Sequence, residues 1–204
     1  MKNAPPTEYR KTLKQKILVT AMNCFKQKGI KAVRMDDIAN ELSISKRTLY
    51  EIFSNKEQLL YEGVIVERQY QREEMLQFVK NHDDVMQIII HFYHIRFQEL
   101  GSVNPLFFTE ISKYKRVADY LYAQQEEQLQ NRRAFFMRGV REGYFLPQLN
   151  YEVVPRLGEA VMNYIMSAKI YQQYTLQEVF RNFVSVILRG CCTEKGKKML
   201  DESL

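Results

Sequence analysis

The chain has 204 residues, enough for one large or two small domains with a real core, and 46% of them are hydrophobic. Only eight Gly and five Pro argue against a turn-rich β architecture and for long helices. The net charge of +6 is unevenly placed: residues 1–60 hold 12 Lys/Arg against 6 Asp/Glu, whereas the rest holds 18 of each, so any surface for a polyanion belongs to the first third.

In chain order, Met1 to about Tyr9, with Pro5-Pro6, reads as a loose arm. A first helix is expected from about Thr12 to Lys28, with Leu13, Ile17, Ala21, Cys24 and Phe25 as its inner stripe and Gly29 as a left-handed stop. Met35 to Phe53 reads as two short helices joined by a tight turn. Asp36 and Asp37 favour the start of the first, and Ile38, Ala39 and Leu42 share a face. Ser45 is a natural cap for the second, whose buried side is Leu49, Ile52 and Phe53.

That leaves Lys46, Arg47, Thr48 and Tyr50 exposed at the start of the second helix. Arg or Lys can read guanine from the major groove, and Thr or Tyr can touch phosphate or a thymine methyl. A helix-turn-helix reading double-stranded DNA is therefore expected, with Ser45 at its edge. Ser54 and Glu57 fit a capping box, so a fourth helix should run to about Phe78; Lys56 at its start is placed for a phosphate.

The run Ile38-Ala39, Ile44-Ser45, Thr48-Leu49-Tyr50, Phe53, Lys56-Glu57 and Leu59, with Ile17-Leu18, Ala21, Phe25 and Gly29 upstream, resembles the N-terminal domain of the tetracycline-repressor (TetR/AcrR) family. The resemblance covers about residues 10–63. Two departures stand out. Val33-Arg34 replaces the usual Thr at the start of the second helix, where Arg34 can reach a phosphate instead. Ser43 replaces the usual turn Gly, which implies a left-handed Ser at a cost of about 1 kcal/mol.

From Asp83 onward the pattern is helical, with helices expected over about 83–100, from Asn104-Pro105, over 113–142, 151–171 and 176–192; the tail after Thr193 is expected to fray. On the last two long helices, Val153, Val154, Leu157, Val161, Ile165 and Ala168, and Val179, Phe183, Val186, Ile187 and Gly190, form wide apolar faces. Such faces suit a two-fold four-helix bundle, so a homodimer through the two C-terminal helices is expected. The resemblance implies the same dimer and a ligand pocket among the aromatic-rich middle helices, with Phe92, Phe97, Phe107, Tyr122 and Tyr164 as candidate lining and a small, apolar or aromatic effector. The expectation is an all-α protein, with residues 1–55 as the DNA-binding domain and 56–204 as the effector-binding and dimerisation domain.

Catalytic and metal chemistry lack their signatures. His91 and His94 stand at i, i+3, yet no Glu-x-x-His accompanies them, and neither a nucleophile elbow nor a Gly-rich phosphate loop occurs. Cys24, Cys191 and Cys192 have neither disulfide-framework nor metal spacing. No apolar run reaches a membrane span and no signal peptide opens the chain, so a cytoplasmic protein without cofactor is expected. The reading is a ligand-responsive, sequence-specific regulator, with repression as its expected sign. The alternatives are a helical DNA-binding protein without effector and, further off, a helical-bundle enzyme or carrier.

Overall fold

The computed structural model describes residues 8–127 and 129–203, apart from the side chains of Leu129 and Gln130. Met1 to Thr7 of the expected arm lie outside the described residues, as does Gln128 within the expected 113–142 helix. The described chain is all-helical, with one isolated antiparallel bridge between Phe145 and Cys192. It divides into two compact units. The first holds the described residues up to Arg72 together with Asn104–Asp119; the second holds Glu73–Val103 and the described residues from Tyr120 onward.

In the first unit, α1 (Glu8–Lys28) already includes Glu8 and Tyr9, earlier than the sequence suggested. It buries Leu13, Ile17, Leu18, Ala21, Met22, Cys24 and Phe25 along one side. Gly29 follows at φ 84°, a left-handed stop that only glycine adopts without strain, and its N–H donates to the Phe25 carbonyl. The short helices α2 (Met35–Glu41) and α3 (Lys46–Ile52) come next, then the start of α4 (Lys56–Asn81).

The cap of α4 differs from the expected Ser54–Glu57 box. Asn55 Oδ1 accepts from the Gln58 N–H at 2.8 Å, and Gln58 Oε1 accepts from both the Ser54 N–H and its hydroxyl. Asn55 thus caps the helix one residue later than expected.

A distant segment completes this unit. The Asn104 N–H donates to the Lys26 carbonyl at 2.7 Å and its amide to the Gln27 carbonyl, so α6 (Pro105–Ile111) lies on the end of α1. Glu110 of α6, only 8% exposed, accepts from the Lys31 N–H at 2.7 Å. The small three-helix core is thereby enlarged by α4 and α6, as so short a domain requires.

The second unit contains α5 (Val85–Ser102), α8 (Leu129–Arg141), α9 (Val153–Ser167) and α10 (Leu176–Phe183), with α7 (Lys115–Glu127) passing into it at Tyr120. Its core gathers Val85, Met86, Tyr93, Tyr144, Phe145, Tyr151, Val184, Cys191, Cys192 and Leu200. α10 continues directly into a π-helical stretch, Val184–Leu188. Val184, off the expected main stripe, follows Leu176 and Phe180 at i, i+4 spacing and is buried, while Val186, on that stripe, is 68% exposed in the single chain.

The chain after Thr193 does not fray. It forms α11 (Glu194–Asp201), capped by the Thr193 hydroxyl, which accepts from the Gly196 N–H and donates to the Gly143 carbonyl. A Cβ at Gly196 would collide with the Tyr144 carbonyl, so the close approach of α11 depends on that glycine. Leu200 is fully buried beneath it. Leu200→Ala should lower stability by about 2–5 kcal/mol, read as a lower urea midpoint. An unchanged midpoint would mean that α11 is peripheral to the core.

Candidate nucleic-acid interface

The geometry of α2, the turn and α3 follows from local sequence. Ser43 adopts φ 52°, the left-handed conformation expected where the family carries Gly. The Ile44 N–H donates to the Ala39 carbonyl and closes the turn. Ser45 caps α3, its Oγ accepting from the Thr48 N–H at 3.0 Å. Ile38, Ala39, Leu49 and Phe53 are buried beneath, so both helices are held from one side. In place of a Thr cap on α2, the Asp37 carboxylate accepts from the Arg34 N–H at 2.7 Å.

The outward face holds the expected side chains. Lys46, Arg47 and Tyr50 are exposed, and the Thr48 hydroxyl lies 2.8 Å from that of Ser45. Arg34 stands exposed at the start of α2. Two carboxylates also belong to this face. Asp36 binds Lys46 at 2.5 Å, and Glu51 accepts from Arg47 Nε at 2.9 Å. The hydrogen bond to Glu51 raises the Arg47 pKa further above its already high ordinary value, so the guanidinium is always charged. Arg10 of α1 donates to the Glu51 carbonyl at 3.1 Å, at the end of α3.

Lys56 occupies a different place from the one its position suggested. Its ammonium is turned inward, donating to the Ile30 and Val33 carbonyls at 2.9 Å each. Burial there lowers its pKa, against the opposing pull of Glu110 and Asp37. It thus ties the α1–α2 connection to α4, and the phosphate contact expected of it would require breaking both bonds. Lys56→Met should destabilise the first unit by about 1–3 kcal/mol through the two carbonyls left without a donor. DNA affinity at a temperature where both proteins are folded should change little; a large, salt-dependent loss there would make Lys56 a phosphate contact after all.

The five candidate pocket residues divide between the two units. Phe107 is buried in the first unit beside Phe108. In the second unit, Tyr122, Tyr164 and Phe92 are 65%, 64% and 50% exposed, and only Phe97 is partly buried against the core, near Tyr93. The other core aromatics stack on one another, Phe136 on Tyr151 and Tyr93 on Phe180. Sequence alone cannot sort aromatic side chains between core, pocket and surface, because all three use the same residues.

His91 stacks on Phe78, its ring centroid 3.7 Å away. Among the described residues no group of three or more His, Cys, Asp or Glu could hold a metal, and no helix is long and apolar enough to cross a membrane. Burial pushes the Cys192 thiol up to about 12 and the Cys191 thiol upward as well, so both stay protonated at neutral pH.

Asp36, Glu51 and Arg10 were absent from the site read in the sequence. The i, i+4 spacing of Arg47 and Glu51 was a usable signal. Arg10, 41 residues from its partner, gave none.

A capped recognition helix on a compact, basic helical unit defines a helix-turn-helix DNA-binding domain. Residues 17–62 match the family described as bacterial regulatory proteins, tetR family, so this segment is a DNA-binding domain of the TetR type. The fold extends the likeness along the whole chain. A TetR-family transcriptional regulator from Agrobacterium tumefaciens is 16% identical, with a TM-score of 0.71 over 90% of this chain and 100% of that one. The fatty acid degradation regulator FadR from Bacillus halodurans is 15% identical, TM-score 0.64, over 92% and 97%. The ketosteroid transcriptional regulator KstR2 of Mycobacterium tuberculosis is 18% identical, TM-score 0.61, over 95% and 100%. The comparison with curated proteins gives no match.

Proposed function

We propose that the protein is a ligand-responsive repressor, not an enzyme, that binds a palindromic operator as a homodimer and is released by a small apolar or aromatic molecule. The observation that carries this reading is the exposed face of α3, where Lys46, Arg47, Thr48 and Tyr50 project from a helix fixed by its Ser45 cap and its buried Leu49. Residues 1–55 read DNA, with Arg34 and Ser45 flanking the groove contacts, and residues 56–204 bind effector and dimerise. Action on operator DNA places the protein in the cytoplasm.

Dimerisation is supported by the outer face of α9. Val153, Leu157, Val161 and Tyr164 follow one another at helical spacing, and all are exposed in the single chain, as is Val186 of the π-helical stretch. Contiguous exposed apolar residues of this kind mark an interface. A two-fold pair of such faces sets two recognition helices on successive turns of one duplex face.

Effector release follows if the ligand prefers a spacing of those helices that the operator does not. α4, which continues from the first unit into the second after Arg72, is the coupling element. The names of the structural relatives, a fatty acid degradation regulator and a ketosteroid regulator, support an apolar ligand class.

The test is titration of the purified chain on genomic DNA fragments, followed by challenge with apolar compounds. Saturation of one fragment at two chains per site, reversed by a compound, is expected. Equal binding of every fragment, or one chain per site, would contradict the reading.

A further inference from the structure

Glu51 is exposed on the outer face of α3, yet both its ends are engaged. Its backbone carbonyl accepts from Arg10 Nη2 at 3.1 Å, and its Oε1 accepts from Arg47 Nε at 2.9 Å. The pair does little for the helix itself. Arg47 lies in the first turn and Glu51 in the last, an order that opposes the macrodipole and is the weaker of the two i, i+4 orientations. Its side chains are 89% and 56% exposed, so a gain in stability does not account for it either.

What the pair does is orient. A long, exposed arginine samples many rotamers, and binding a base edge requires freezing one of them. Glu51 occupies the Nε edge of the guanidinium. Among the described residues the terminal edge, Nη1 and Nη2, stays open, and this is a donor pair that fits the O6 and N7 acceptors of guanine. The carboxylate also makes nearby phosphate an unfavourable alternative partner for the face.

We infer that Glu51 is a positioning residue for base readout: anchored through its backbone by Arg10, it holds Arg47 with its terminal edge toward a guanine and sharpens sequence preference at one base pair in each half-site. The inference rests on α3 being the recognition helix.

The test compares wild type, Arg47→Ala, Glu51→Ala and Glu51→Gln on the duplex selected by the wild type and on each single-base variant of it, at one salt concentration. Arg47→Ala identifies the base pair that Arg47 reads. Glu51→Ala should lose about tenfold of preference at that same pair, with other positions and the unfolding midpoint unchanged. Glu51→Gln, whose amide oxygen still accepts from Nε, should recover most of it. Wild-type preference in Glu51→Ala, or a loss spread evenly over all positions, would overturn the inference while leaving the recognition helix in place. A wild type that selects no sequence would instead remove the recognition-helix reading, before any Glu51 variant is compared.

Discussion

Replacing Arg47 with alanine should lower affinity for the operator roughly a hundredfold or more, since a bidentate arginine contact discriminates by tenfold or more and a dimer uses it twice. The side chain is 89% exposed and, among the described residues, bonded only to the exposed Glu51, so its removal leaves no cavity and no buried group there without a partner. Helical content, unfolding midpoint and sedimentation should therefore match the wild type. Affinity for unrelated duplexes should fall much less, because the remaining basic groups of residues 1–60 still meet phosphate. Fluorescence anisotropy on operator and scrambled duplexes at matched salt reads both effects. An Arg47→Ala protein with wild-type operator affinity would place the groove contacts elsewhere.

Leu157→Glu should convert the protein to a folded monomer. Leu157 lies exposed between Val153 and Val161 on the outer face of α9, away from the core side that buries Ile165. Inside one chain the new carboxylate can reach water, because Leu157 is 53% exposed. Across a two-fold interface the substitution appears twice, burying like charges against an apolar surface; dimer dissociation should strengthen at least about a hundredfold. Operator affinity should fall with it, since each chain then holds a single half-site. Sedimentation velocity separates the outcomes: a monomer with wild-type helicity supports the α9 interface, whereas an intact dimer moves the interface to another face.

The helix-turn-helix was legible in the sequence because each of its determinants is local. The Ser45 cap, the left-handed Ser43 and the buried Leu49 and Phe53 all lie within 11 residues of one another. What escaped the sequence depends on contacts between distant residues. Lys56 reads as a phosphate ligand until the Ile30 and Val33 carbonyls, 26 and 23 residues away, are seen to hold it. Glu110 gives no sign that it accepts from the backbone of Lys31, 79 residues earlier.

The last two long helices were legible as widely apolar, but not which apolar residues turn to the chain's own core: Val184 is buried whereas Val186 is exposed in the single chain. The tail after Thr193 looked like solvated charge, yet a Thr cap, one glycine and one leucine are enough to dock α11. The roles of the aromatic residues were least legible, because an aromatic side chain carries the same sequence signal in a stacked core as on an exposed face.

If this chain reads DNA sequence as a two-fold dimer, selection of bound duplexes from a random pool at near-physiological salt will enrich an inverted repeat with half-site centres about one helical turn apart. Recovery of duplexes without a common sequence, bound weakly and released by modest salt, would contradict it.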